Sequence, residues 1–409
     1  MTDKKQLKAR IRARMAKTGE SYTAARRHVV GATAEPRDGD WVFTGGRHPD
    51  SAVVAALTGL SEPLVFLAGG GIGAGYILWE FKRHDSVHLT LGFRHQWQYP
   101  GRWMAQTLDR LGVPYEHHTT AGAKGAARKL AEELDAGHPC VVLPDRYTVG
   151  YWHLPPYLDG HGGHPVIAYR RSGGMVHLDD RGTAPILVPQ DRLDAARARV
   201  TSYKNSLFVI RPAGQPADPA PAVREGLRAC VEALSSPSDS FSLPAWRKWS
   251  RMMTDERNAK GWPRVFAGGR GLAGALLSLW EGVEPVGMDG GNLRDLFADG
   301  LDQAAELLDT GELKGVAEEF RRVHGLWHEL AETALPASRY GRIRELTAAV
   351  RESLLSEGTA SEADAAELWR LRQEAGKEPQ QADLEAMGRL LMGIYEAESA
   401  AMARLGEIV

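Results

Sequence analysis

Four prolines stand within ten residues at Pro212-Ala-Gly-Gln-Pro216-Ala-Asp-Pro219-Ala-Pro221. Such a run lacks backbone donors and holds the chain stiff and extended, so it reads as a linker over 212–221. It separates two different patterns. From 31 to 211 short apolar runs alternate with helical periodicity, as in an α/β domain. From 222 to 409 the spacing is helical almost throughout, as in an all-helical domain. The fold class read from this order is α+β. At roughly 100–200 residues per domain, 409 residues suit two domains. A hydrophobic share of 43% and a charged share of 25% supply ordinary globular cores for both.

Residues 1–30 form a third, basic segment. Leu7, Ile11 and Met15 share one face and predict a short helix over 3–17, stopped by Gly19; Ser21 caps a second helix over 22–30. Nine Lys and Arg against two acids make the segment +7, which leaves −9 for the rest of a chain whose formal charge is −2. Two readings stand, a hairpin that binds nucleic acid or a partner, and a solvated basic face packed by its apolar stripe. No aromatic platform or DNA-binding motif follows, which favours the second and argues against nucleic acid. Cys140 and Cys230 lie on opposite sides of the linker and make neither a disulfide framework nor a zinc site. The opening residues carry no apolar signal core, and no apolar run approaches the ~18–20 residues of a membrane span. A cytoplasmic protein without membrane contact is expected.

In the first domain, helices are predicted over Ser51–Leu57, Arg102–Leu111, Ala121–Ala136 and Asp191–Val200. Strands are predicted at Pro63–Leu67, Cys140–Leu143, Val166–Tyr169, Met175–Leu178 and Pro185–Val188, with Leu207–Ile210 closing the sheet. After the linker, helices are predicted over 222–235, 243–256, 269–281, 292–309, 312–332, 339–355, 361–375 and 381–405.

Histidine locates the chemistry. Eleven of fourteen histidines lie between 31 and 211, so titratable groups concentrate in the α/β domain. The sharpest local pattern is Gly160-His161-Gly162-Gly163-His164-Pro165-Val166-Ile167, a histidine at the mouth of an apolar strand. Past the hairpin turn Ser172-Gly173-Gly174 stand Asp179 and Asp180, the latter sixteen residues after His164. A hairpin of that length returns the second strand's end beside the first strand's start, so an aspartate there can fix the imidazole tautomer. The plain alternative is a strand-edge histidine and a turn.

Other clusters carry less. The glycine-rich loop 69–75 lacks a following Gly-Lys-Ser/Thr and does not fit the dinucleotide fingerprint, so no nucleotide cofactor is expected. His161 and His164 have only Asp159 as a nearby acid, so no metal is expected. The mixed clusters Arg94-His95-Gln96-Trp97 and Tyr151-Trp152-His153 suit a pocket wall or aromatic packing.

The ordered set Gly46-Arg47-His48 before a short helix, Leu67-Ala-Gly-Gly-Gly-Ile-Gly73, Asp145-Arg-Tyr147, Tyr151-Trp-His-Leu-Pro-Pro-Tyr157, His164-Pro-Val-Ile167, Val176-His-Leu-Asp-Asp180 and Arg197-Ala-Arg with Tyr203-Lys-Asn205 resembles a known domain. It is similar to the N-terminal domain of the butirosin-biosynthesis acyltransferase family, a relative of papain-like and bacteriocin-processing (C39-like) cysteine peptidases. Trp262-Pro-Arg-Val-Phe266, Gly290-Gly-Asn-Leu-Arg-Asp-Leu296 and Phe297-Ala-Asp-Gly-Leu-Asp-Gln-Ala304 resemble the helical domain that accompanies it. The resemblance covers about residues 45–405. It implies a papain-like α/β domain, acyl transfer from a carrier-protein thioester to an amine, and a Cys at the start of the first core helix acting with the later His and Asp. This chain departs there, reading His48-Pro49-Asp50-Ser51 where the family reads His-Cys.

The expected function is acyl transfer, or thioester or amide cleavage, in bacterial specialised metabolism. Its catalytic candidates are His164 as base, Asp180 as orienting partner with Asp179 in reserve, and Ser51 as nucleophile. A helix N-terminus is worth about 0.3–1 kcal/mol, too little to ionise an alcohol, so Ser51 needs His164 within about 2.6–3.2 Å. Substrate-contact candidates are His48, Asp50, Arg94, Tyr151, Trp152 and His161. Direct general-base transfer by His164 and a non-catalytic scaffold binding a metabolite or partner remain alternatives. Expected partners are a small-molecule substrate and an acyl carrier protein, with a homodimer left open.

Overall fold

The structure, a computed structural model, describes residues 37–81, 86–211, 218–377 and 381–409. The basic segment 1–30 and most of the proline run therefore lie outside the described residues. Where the chain resumes, Pro221 sits in the first turn of the helix Ala220–Ser235, a position where its missing N–H is no loss.

The chain is mixed α/β with a helical C-terminal region, and its contacts form two compact units. The first holds the described residues of Met1–Thr58, Tyr115–Pro212 and Ala348–Ala366. The second holds those of Gly59–Pro114, Ala213–Thr347 and Glu367–Val409. Each unit draws on three stretches, so the units do not follow the linear division at the linker. The reason lies in apolar surface that must be covered. Helix Glu62–Ala68 buries Val65, Phe66, Leu67 and Ala68 and packs on the helices Ala220–Ser235 and Arg294–Leu307.

In the first unit six strands form an antiparallel sheet in the order Tyr115–His118, Leu207–Ile210, Cys140–Val142, Val166–Ser172, Met175–Asp179, Ile186–Pro189. Leu207–Ile210 lies inside the sheet, not at its edge as a closing strand; the Tyr115–His118 strand covers it. Helix Ala123–Asp135 packs on Val166–Ser172, as does helix Pro49–Thr58. A segment from far along the chain joins this unit: Thr183 N–H donates to Leu355 O at 2.7 Å.

The second unit corrects the strand expected at Pro63–Leu67, which is a helix. A short apolar run does not by itself distinguish the two. Here Ser61 accepts from Leu64 N–H at 3.5 Å and Pro63 occupies the first turn, a helix start. A long antiparallel hairpin follows, Ile72–Phe81 with Ser86–Arg94.

The core of this unit holds a fully buried ion pair. Glu398 Oε1 accepts from Arg294 Nε at 2.7 Å and from the Trp327 indole at 2.9 Å. Its Oε2 accepts from Arg294 Nη2 at 2.9 Å and from the Trp246 indole at 3.1 Å. Arg294 donates further to Asn292 O and Gly73 O. Every polar edge of the pair is matched, as a buried charge requires.

His95 belongs to the same unit. Burial, with Arg110, Arg94 and Arg102 adding, pulls its pKa down to about 4. An unfolded histidine titrates near ~6.5 and takes a proton that the folded one refuses. Stability should therefore fall as pH drops from about 6.5 toward about 4. His95→Asn should flatten that slope when urea midpoints at pH ~7 and ~5 are compared. An unchanged slope in the variant rules this account of His95 out.

Candidate functional site

The site stands where the Val166–Ser172 strand begins. Gly162 has φ +99° and Gly163 has no room for a side chain, because a Cβ would lie 1.7 Å from Pro144 O. Pro144 O is a backbone atom and cannot rotate away. Gly163→Ala is thus expected to destabilise by about 1–3 kcal/mol through overpacking and to displace His164. A melting temperature equal to wild type contradicts that expectation.

The hairpin register pairs Ile167 with Asp179 and Ala168 with Leu178, with a bulge before Arg170–His177. Gly173 and Gly174 make the turn at φ +56° and +78°. This register carries Asp180 one residue past the strand end, next to His164. His164 Nε2 lies 2.8 Å from both Asp180 carboxylate oxygens. On the ring's other side Arg146 Nε donates to His164 Nδ1 at 2.7 Å. An arginine can only donate, so Nδ1 carries the lone pair and Nε2–H donates to Asp180. Burial pulls the His164 pKa down to about 4 against Asp180, with Arg146 adding to the fall. The imidazole is neutral at pH 7.

Asp180 is 1% exposed. It also accepts from Tyr151 OH at 3.0 Å and from Arg181 Nε at 3.1 Å. Burial opposes its charge, but His164, Arg181 and Arg351 hold its pKa well below the usual carboxylate range. Its neighbour has another role: Asp179 accepts from the Trp41 indole at 3.0 Å. Burial, with Asp180 alongside, pushes the Asp179 pKa up to about 7 despite that bond. Two adjacent aspartates are thus shifted in opposite directions, Asp179 by burial and Asp180 by His164, Arg181 and Arg351.

Tyr151 and Trp152 both reach the site. Burial pushes the Tyr151 hydroxyl well above its ordinary pKa, so it serves Asp180 as a donor. Trp152 meets His164 edge-on at 5.6 Å, and the Arg351 guanidinium lies 4.8 Å over the Trp152 ring. The His48 corner is tied in by Arg181, whose Nη1 donates to Arg47 O at 3.3 Å. His48 O accepts the first helical bond, from Ala52 N–H at 2.9 Å, and Pro49 opens the helix. Ser51 therefore lies inside the first turn, where its Oγ donates back to His48 O at 3.4 Å and the residue is fully buried. Asp50 pairs with His48 at 3.7 Å. His161 is exposed. Arg94 belongs to the second unit, where it donates to His95 O and lies over Trp103.

Neither thiol is poised to react. Burial pushes Cys140 and Cys230 each up to about 12. Glu116, His118 and Glu133 gather their ligand atoms within 4.8 Å of one another. Lys129, His138 and Arg211 already pair with these carboxylates, which makes the group an ion network. A cavity of about 460 Å³ opens on the segment after Arg146, lined by Tyr147, His153, Leu154, Arg192 and Glu362 among others.

Three arginines, Arg146, Arg181 and Arg351, were not among the candidates from sequence. Arg146 lies in the Asp145-Arg-Tyr triplet and Arg181 directly follows Asp180, so adjacency offered a signal for both. Nothing local could flag Arg351, which reaches the site from the helix Ala337–Glu357.

Among the described residues no single helix is long and apolar enough to cross a membrane. Comparison with curated proteins gave no match. Residues 50–181 match the family model of the N-terminal domain of butirosin biosynthesis protein H, and residues 191–367 match a domain of unknown function, DUF4872. The chain carries a butirosin biosynthesis H-like N-terminal domain followed by a DUF4872 domain.

Proposed function

We propose that this protein transfers or releases an acyl group held as a thioester or amide, in bacterial antibiotic biosynthesis, from a papain-like centre built on His164 and Asp180. The match to butirosin biosynthesis protein H supports the biosynthetic setting. The observation that carries the chemistry is the 2.8 Å contact of His164 Nε2 with an ionised, buried Asp180, which leaves Nδ1 as the basic atom. The family's cysteine is replaced here by the stretch His48-Pro49-Asp50-Ser51. Ser51 Oγ is turned onto its own helix and both thiols are protonated, so direct general-base transfer is the favoured route. In that route an amine attacks the acyl carbon and the C–S bond breaks. The amine's proton passes to His164 Nδ1 and then to the departing thiolate. The donor is an acyl carrier protein and the acceptor a small amine.

A non-catalytic scaffold is the second reading, favoured by Arg146 closing Nδ1. The test is turnover of a panel of acyl thioesters with amine acceptors by wild type and Ser51→Ala, with intact-protein mass recorded. Turnover in both without an adduct is expected. An acyl adduct on wild type with loss of turnover in Ser51→Ala moves the nucleophile to Ser51. No turnover across the panel favours the scaffold.

A further inference from the structure

A serine, a histidine and an aspartate meet at the far end of the Val166–Ser172 strand, beside the hairpin turn. Arg170 and Ser172 share one face of that strand, and His177 is the partner of Arg170 across the ladder. His177 Nε2 lies 2.9 Å from Ser172 Oγ, and His177 Nδ1 lies 2.8 Å from Asp38 Oδ2. Asp38 comes from a short antiparallel ladder, Arg37–Asp38 with Trp41–Val42. Trp41 stacks on Tyr169 at 4.9 Å and its indole donates to Asp179, which ties that ladder to the sheet.

Successive strand side chains point to opposite faces, but the bulge between Ala168 and Arg170 brings two neighbours to one carboxylate. Tyr169 OH donates to Asp38 Oδ2 at 2.6 Å, and Arg170 Nη2 donates to Oδ1 at 2.7 Å and Oδ2 at 2.8 Å. Burial opposes the Asp38 charge, but the bonds from Tyr169 and His177 and the Arg170 charge hold its pKa below the ordinary carboxylate value. An ionised carboxylate only accepts, so His177 Nδ1 carries the hydrogen and the Nε2 lone pair faces the Ser172 hydroxyl. Arg170 Nη2 also stands 3.1 Å from Nδ1, but a protonated Nδ1 accepts nothing and the arginine serves Asp38. The order carboxylate, imidazole, hydroxyl is that of a nucleophile–His–Asp triad.

Access to this serine differs from access to Ser51. Ser172 is exposed, whereas Ser51 and His177 are buried. Nothing lies within 4 Å of where a Cβ would stand at Gly173 or Gly174, so a reacting group has room to approach. The Gly173 N–H directly follows the serine, the position from which serine hydrolases draw an oxyanion donor.

We propose that Ser172, His177 and Asp38 form a second centre, which hydrolyses carboxylic oxygen esters with small acyl groups. Small groups suit an open turn, where a long apolar chain would stay in water. Ser172 Oγ attacks the acyl carbon and its proton passes to His177 Nε2. The ester C–O bond breaks and that proton leaves with the alcohol. A water, giving its proton to Nε2, then releases the acid, and Ser172 recovers its proton. Ester and water become acid and alcohol without an amine, so this centre does not rest on the His164 reading.

The test uses the full chain with p-nitrophenyl acetate and phenylmethylsulfonyl fluoride. Wild type should hydrolyse the ester and take up a sulfonyl group that peptide mapping places on Ser172. His177→Gln should slow both reactions by about 10²–10⁴-fold, the usual worth of a positioned general base. If that variant loses its near-ultraviolet signal, Ser172→Ala decides, since the position is exposed and its change leaves the core intact. It should abolish the adduct and the saturable part of the hydrolysis. No adduct on Ser172, an adduct on Ser51 instead, or ester hydrolysis unchanged in Ser172→Ala overturns the proposal. Amine-dependent thioester turnover reports on His164 alone, so either centre can fail without the other.

Discussion

Asp180→Asn is expected to lower thioester turnover about 10³–10⁴-fold per folded molecule, the usual scale for removing the orienting acid of a His–Asp pair. The carboxylate now receives Nε2–H, which leaves the lone pair on Nδ1. An amide in its place can present its N–H₂ to Nε2 and favour the opposite tautomer. The variant should also be less stable by about 3–5 kcal/mol, because Arg181, which pairs with Asp180, stays buried without its counter-charge. Turnover must therefore be normalised to folded protein, for instance by the near-ultraviolet signal. Turnover within tenfold of wild type removes Asp180 from the chemistry.

The largest stability effect belongs to the second unit. Glu398→Ala is expected to destabilise it by about 3–5 kcal/mol. The substitution strands Arg294 and the indole N–H groups of Trp246 and Trp327, all of which donate to that carboxylate. The Arg294 guanidinium also lies over Phe93 at 5.1 Å and Trp327 at 5.7 Å, so a void there disturbs the aromatic core. The double variant Arg294→Met/Glu398→Leu should be less damaged than either single one, since a buried pair replaced whole leaves no lone charge. Equal or additive losses in urea unfolding contradict the coupling.

What was legible before the structure followed from locality. The helices after the linker announce themselves by 3.6-residue spacing. Leu384, Met387, Leu391, Ile394, Ala397, Ala401 and Leu405 fall on one face of the expected helix, and all but Leu384 and Ala397 are buried. The His164–Asp180 contact followed from hairpin arithmetic, since both residues flank one turn. The strand Tyr115–His118 was missed because Glu, His and His give no apolar alternation. The hairpin Ile72–Phe81 was missed because glycines at 73 and 75 weaken a strand signal. Arg351 and the Leu355 contact come from 170 residues or more beyond the hairpin they support, a pairing no local pattern encodes.

In the proposed acyl transfer His164, rather than a thiol, is the reacting centre. The most direct measurement is amine-dependent acyl-thioester turnover by His164→Ala beside the double variant Cys140→Ala/Cys230→Ala, each scaled to folded protein. Full activity in the cysteine-free protein and loss in His164→Ala is the predicted result. Activity that survives in His164→Ala, or vanishes with the cysteines, contradicts it.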